Sequence, residues 1–514
     1  MEREIIYKCI VGLSICLVIG IFYYKGDKEE ELTLSTFITQ LNKERREELE
    51  EPIHYQVETL KRTLQPTDFT EEELEFLCTK GNRQNITKIE AIEDVTVLFR
   101  ALSQSYGGYI YFGGKERFNQ AKQEMIDTIE NLREEQMTSE VLEQILCKGL
   151  DFLVDTHFFI NGKFTDFKEQ YSYYGSGIDE IKKDAKGYYI LGQGKRWYIE
   201  EDFEPYIKPT IGEEGQLIYG LFTVVDEEEK EKLPTRMTLS RGRDKQQKEI
   251  AWKLCEVGSP KREEIDSNYS YQEISGIPIV SYREMTYNTG TNSFIEDGRG
   301  LRNQRVAVLD LRDNNGGSPF INYMWLYQIT GTSVYPKEIE IGYRSKLNDY
   351  QGKWASKTRP RLGDVSFNYN PSNPNFYKEI EGYSIQEENG YTISYNQGVS
   401  WIENETLWFV LVNKDVYSAS EDFLRQLETM SNVILVGTNS NGCLTVVNPM
   451  IYAPLYLPNS KNAIVYGNAL KVANDMEGYD ARGTLPDLYI ADEDALEAVI
   501  RCATYYKSEW ISQK

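Results

Sequence analysis

Histidine is nearly absent from this sequence: His54 and His157 are the only two in 514 residues. So few imidazoles cannot build a histidine-rich metal site, and any chemistry that needs a histidine must run through one of them. Cysteine is sparse as well. The seven (Cys9, Cys16, Cys78, Cys147, Cys255, Cys443 and Cys502) are scattered, odd in number and without a C-x-x-C pair. That pattern indicates neither a zinc site nor a disulfide framework. Positive charge is also short, with 57 Lys and Arg against 81 Asp and Glu, a formal charge of −24. Phosphate binding needs a basic surface, so the balance argues against nucleic acid as a partner.

What remains is the composition of a globular protein, 40% hydrophobic and 27% charged, with 37 Tyr and 20 Phe. The length exceeds what one compact core usually fills, so two or three domains are expected. Residues 9–24 (CIVGLSICLVIGIFYY) carry no charge, and Ile5, Ile6 and Tyr7 extend the run past Lys8, which can snorkel. A membrane-spanning helix needs about 20 such residues. The run ends in Phe22, Tyr23 and Tyr24, an interfacial belt, where a cleaved signal would end in small residues. Ile15 before Cys16 does not suit a lipoprotein cleavage site. Residues 1–25 are therefore expected to be a transmembrane anchor. Arg3 and Lys8 before it balance Lys25 and Lys28 after it. The short N-terminus is placed in the cytoplasm, which makes a single-pass cell-membrane protein with its body extracytoplasmic.

Residues 26–95 are dense in charge (Lys28-Glu29-Glu30-Glu31, Glu44-Arg45-Arg46-Glu47) with helical apolar spacing, and predict a solvated helical stalk. Residues 96–169 read as a helical domain. Val141, Leu142, Ile145, Leu146 and Leu150 share one helix face, with Thr138 or Ser139 as N-cap, and that helix runs into Asp155-Thr156-His157. Residues 170–275 read as β-rich, with a hairpin about Gly192-Gln193-Gly194-Lys195. No dependable carboxylate-binding loop is visible there. Residues 276–500 read as an α/β domain. Apolar runs at 306–309, 407–412 and 433–436 alternate with helical spacing, and a polar insertion occupies 331–400. Ligand sites in such sheets lie beyond the strands' carboxyl ends, where both Gly316-Gly317 and Ser418 fall.

A serine that transfers acyl groups needs a base, donors for the oxyanion and a group that orients the base. Ser418 opens a helix, so the Ala419 amide and the positive helix end favour an oxyanion there. Gly316 and Gly317 permit the close approach of a second amide.

At these residues the chain resembles the tail-specific (C-terminal-processing) and tricorn-type serine peptidases. Asp310-Leu311-Arg312-Asp313-Asn314-Asn315-Gly316-Gly317 resembles the family's strand and glycine turn, and Ser418-Ala419-Ser420-Glu421 its nucleophile turn. Gly437, Ser440 and Gly442 follow in the family's order. Asp155-Thr156-His157 is similar to an upstream D-G-H element, and the stretch from Asp480 to Pro486-Asp487 to a terminal E-x-x-G-x-x-P-D. The resemblance implies a crotonase/ClpP-like α/β catalytic domain, a protein or peptide substrate and no cofactor or metal. It departs from the Ser–Lys branch at Cys443, 25 residues past the serine, and no lysine lies between Asp415 and Ser460. The implied set is Ser418 as nucleophile, His157 as base and Asp480, rather than Glu477, as orienting acid. Gly316, Gly317 and Ala419 form the implied oxyanion hole.

Each residue also has a plainer reading: Ser418 as a helix N-cap, His157 as a helix-end histidine, Cys443 as packing, Asp310 and Arg312 as a structural pair, His54 as surface. The sequence thus predicts a membrane-anchored serine peptidase. A catalytically inactive relative that binds a peptide or apolar ligand is the alternative, and a crotonase-like thioester enzyme is a third reading that leaves the serine turn without use.

Overall fold

The computed structural model describes residues 29–30, 32–54, 57–60, 69–168, 170–255, 268–358, 384–388, 391–395, 400–474 and 479–508. The expected anchor lies outside these. Among the described residues no helix is long and apolar enough to cross a membrane.

The chain is mixed α/β. Its central sheet has six strands in the order Tyr269–Ile274, Ile277–Tyr282, Val306–Asp310, Leu407–Val412, Val433–Gly437 and Leu488–Tyr489. The first pair is antiparallel and the rest run parallel. The three apolar runs read from the sequence are adjacent in this sheet. They are buried along their whole length because helices cover both faces, which is why they do not alternate with polar residues. Thr289–Leu301, Phe320–Thr330 and Ala419–Leu427 pack on one face, through Phe294, Trp325 and Phe423. Ala495–Tyr505 and Leu34–Glu50 cover the other.

The position of Leu34–Glu50 corrects the expected stalk. Arg45 is buried; its Nη1 donates to the Val433 carbonyl at 2.6 Å and its Nη2 pairs with Asp487 at 2.8 Å. A guanidinium placed this way satisfies a sheet carbonyl and a carboxylate at once, so the helix lies against the sheet rather than standing in solvent.

In the helical region, Thr138 caps Ser139–Gly149 by accepting from the Val141 amide, and Leu142 and Leu146 are buried. Lys88–Ser105 begins with a capping box between Thr87 and Glu90. Their core is shared with a second sheet, through Ile341, Val446, Leu470 and Val472. That sheet has the order Ser384–Glu388, Tyr391–Tyr395, Ile339–Tyr343, Gly467–Val472 and Val446–Pro449. Three of its five strands come from the polar insertion, which builds sheet as well as loop. Past Gly149 the chain turns, and Phe159–Ile160 pairs with Val465 and Ile464. This pairing carries His157 over the strand Val446–Pro449.

Residues 170–255 contribute to two further sheets, one of which contains the hairpin Gly187–Gly192 and Lys195–Ile199 and takes Glu29–Glu30 as an edge strand beside Lys182–Asp184. Gln193 and Gly194 both have positive φ there, as a two-residue hairpin turn requires.

Candidate active site

Ser418 follows the carboxyl end of Leu407–Val412 and stands at the start of Ala419–Leu427, with φ 53° and ψ −117°. A non-glycine residue held at positive φ stores roughly 1–3 kcal/mol of strain and needs surroundings that enforce it. Glu421 is one of the enforcing groups. Its fully buried carboxylate accepts from Ser418 N at 3.2 Å, Gly442 N at 2.7 Å, Cys443 N at 2.7 Å and Ser440 Oγ at 2.6 Å. The nucleophile turn and the 440–443 loop are thereby tied to one side chain. Burial raises the Glu421 carboxyl above its ordinary range, and these donors oppose the shift.

His157 lies 261 residues earlier in the chain, yet its Nε2 is 2.9 Å from Ser418 Oγ. Its Nδ1 is 2.6 Å from the Val446 carbonyl. A carbonyl oxygen only accepts, so Nδ1 carries the hydrogen and Nε2 presents its lone pair to the hydroxyl. The ring is almost wholly buried. Burial pushes its pKa down to about 4, with the Val446 carbonyl opposing and the charge of Lys471 adding to the fall. The imidazole is therefore neutral at pH 7, the state a base requires.

Asp480 does not reach His157. Its Oδ1 accepts from Leu444 N at 3.2 Å and Thr445 N at 3.0 Å, so it shapes the backbone leading to Val446. This corrects the expected triad: a backbone carbonyl stands where the orienting carboxylate was placed. The side chain one methylene shorter than glutamate is spent on the loop beneath. Burial, and then the charge of Asp155, raises the Asp480 carboxyl well above its ordinary value. Glu477 lies outside the described residues. Asp155 accepts from His157 N at 2.8 Å and Tyr106 Oη at 2.7 Å, and burial pushes its pKa up to about 7. It fixes the backbone of the histidine rather than its ring.

The glycine turn faces the serine. A Cβ on Gly316 would come within 2.4 Å of the Tyr417 carbonyl, and one on Gly317 within 2.3 Å of the Met285 carbonyl. Gly316 N donates to Asn314 Oδ1 at 3.0 Å, which removes it from the expected oxyanion donors. Among the described residues no protein acceptor takes the amides of Gly317 and Ala419. Asn314 also accepts from Ser420 Oγ at 2.6 Å, so the second serine of the turn braces the glycine loop.

The remaining residues singled out in the sequence are structural. Arg312 forms a two-pronged pair with Asp310, Nε to Oδ1 at 2.8 Å and Nη2 to Oδ2 at 2.9 Å. Cys443 is fully buried, and burial raises its thiol well above the ordinary value, which disfavours a thiolate. His54 is exposed. Among the described residues no cluster of His, Cys, Asp and Glu could hold a metal ion. Val446 escaped the sequence reading because a backbone acceptor leaves no residue-type signal. Glu421 was legible in principle, as the acid three residues after the helix-opening serine.

Residues 276–490 match the model of Peptidase family S41. No curated protein sequence matches the chain. Among solved structures, mature CPAF is similar at 11% identity with a TM-score of 0.40, covering 82% of this chain and 96% of that one. The photosystem II D1 C-terminal processing protease is similar at 14% and 0.34, covering 80% and 96%. The tricorn protease is similar at 16% and 0.35, covering 83% of this chain and 37% of that one. The family match thus spans the glycine turn at 316–317, Ser418 and the loop that carries Val446, a little over two fifths of the chain, and it does not reach His157.

Proposed function

We propose that the protein is a serine peptidase of the S41 type that works through an acyl-enzyme on Ser418 with His157 as general base. The observation that carries this reading is the 2.9 Å contact from His157 Nε2 to Ser418 Oγ, with Nδ1 committed to Val446. Nε2 takes the hydroxyl proton as Oγ attacks the scissile carbonyl. The amides of Gly317 and Ala419 receive the oxyanion, and the imidazolium returns its proton to the leaving amine. Water then enters by the same base and releases the acyl group. Peptide hydrolysis measured for the wild type, Ser418→Ala and Ser420→Ala tests this. Only the first substitution should abolish turnover, and full activity in Ser418→Ala would refute the assignment.

In this reading the region 96–169 supplies the base, 170–275 is a separate β-rich unit, and 276–500 is a crotonase/ClpP-like catalytic domain. Residues 1–25 anchor the enzyme in the cell membrane with its catalytic domain extracytoplasmic. The uncharged run at 9–24 supports the anchor. Deleting residues 1–25 should move the enzyme from the membrane fraction to the soluble one; retention in the membrane fraction would contradict it.

A further inference from the structure

Lys471 takes no part in the reaction drawn above, yet it stands between the two halves of the site. It lies on Gly467–Val472, the strand beside Val446–Pro449, and is 6% exposed. Its Nζ is 2.6 Å from Asp422 Oδ1 and 2.6 Å from Glu338 Oε1. An ammonium held between two carboxylates keeps its proton and cannot serve as a base.

We infer that Lys471 is a positioning residue that locks Ser418 and His157 at reacting distance. The inference rests on the reading of Ser418 and His157 as nucleophile and base.

The connections close on themselves. Asp422 N donates to the Ser418 carbonyl at 3.1 Å, and Asp422 Oδ1 accepts from Lys471 Nζ. Lys471 N donates to the Thr445 carbonyl at 2.9 Å; the next residue, Val446, accepts from His157 Nδ1, and His157 Nε2 meets Ser418 Oγ. Every step of this ring is a covalent neighbour or a hydrogen bond. Ser418 belongs to the central sheet and its helices, whereas Val446 belongs to the five-stranded sheet. Lys471 is the side chain that bonds the nucleophile helix to the strand beside the base's acceptor, and its two short ion pairs are buried where water does not loosen them.

Lys471 also bears on the histidine through charge. The titratable groups gathered about His157 are Asp155 under its backbone amide, Asp480 under residues 444–445, Tyr417 edge-on to the ring, and Cys443 and Glu421 beyond it. Glu338, Glu340 and Asp422 surround Lys471 itself, and Arg425 Nε lies 3.7 Å from Glu338 Oε2. Apart from Arg425 these groups are neutral or negative, and the lysine opposes their pull on an imidazolium. Its loss would make His157 easier to protonate and would free the helix from the strand.

The experiment is steady-state kinetics across pH on full-length Lys471→Met, Lys471→Arg and Asp422→Asn, with active sites counted by phosphonate titration. In Lys471→Met, kcat per titrated site should fall at least tenfold with KM within twofold of wild type, and the acid limb should move to higher pH. Lys471→Arg should recover part of both. If the methionine variant does not fold, Asp422→Asn preserves volume and leaves Lys471 paired with Glu338. It should lower kcat per site at least threefold. Wild-type kcat per site and an unmoved acid limb in a folded Lys471→Met, or wild-type kcat per site in Asp422→Asn, would overturn the role of Lys471. A wild-type enzyme that takes no label on Ser418 would instead overturn the reading beneath it.

Discussion

The imidazole of His157 donates from Nδ1 to the carbonyl of Val446, 2.6 Å away, where a serine hydrolase ordinarily offers a carboxylate. A carbonyl fixes the tautomer as well as a carboxylate does, but its partial charge stabilises an imidazolium less. Burial and the nearby lysine depress the ring's proton affinity further.

The first prediction concerns pH. With the pKa of His157 pushed down to about 4, the ring is protonated and inactive only below that value. The acid limb of kcat/KM, which reports the free enzyme, should therefore lie well below the ordinary histidine value of about 6.5. The profile should be flat from pH 6 to 8. A limb centred near 6.5 would show that the ring is not held as described.

Replacing the base should cost far more than any change around it. His157→Ala should lose about a thousandfold or more in kcat/KM while keeping the fold, as loss of a general base does. Circular dichroism and kinetics on the same preparation check both parts.

Asp480→Asn should be mild, within about tenfold in kcat/KM, because the asparagine Oδ1 still accepts from the Leu444 and Thr445 amides. Asp480→Ala leaves those amides unpaired and should cost more, through drift of Val446. A loss of about ten-thousandfold in Asp480→Asn, the size seen when a triad acid is amidated, would return Asp480 to the ring of His157.

Glu421→Gln should be severe although it is nearly isosteric. Glu421 Oε1 accepts from Gly442 N and Ser440 Oγ, and Oε2 from Cys443 N and Ser418 N. Turning either oxygen into an amide NH2 sets a donor against a donor in a buried place, a cost of about 1–3 kcal/mol. Both the denaturation midpoint and kcat should drop.

Much of this was legible in the sequence, for particular reasons. The runs at 306–309, 407–412 and 433–436 are apolar throughout because helices cover both faces of their sheet, and continuous runs are easily seen. The helix before His157 showed itself through the spacing of Leu142 and Leu146. The meeting of His157 with Ser418 was implied by the resemblance and the scarcity of histidine, not by any local pattern, because it depends on Phe159–Ile160 pairing with Ile464 and Val465 far along the chain. The stalk was misread because Arg45 sits among exposed charges and nothing marks it as the one turned inward. Lys471 lies beyond the lysine-free stretch from Asp415 to Ser460, and its two carboxylates come from distant elements.

The most direct measurement is the mass-spectrometric location of an active-site fluorophosphonate adduct on the full-length enzyme. Reaction depends on Nε2 of His157 accepting the Ser418 proton while Gly317 and Ala419 hold the phosphoryl oxygen. The adduct should form on Ser418, at a rate strongly reduced in His157→Ala and without any label in Ser418→Ala. An adduct on Ser420, or labelling that persists in Ser418→Ala, would contradict the account.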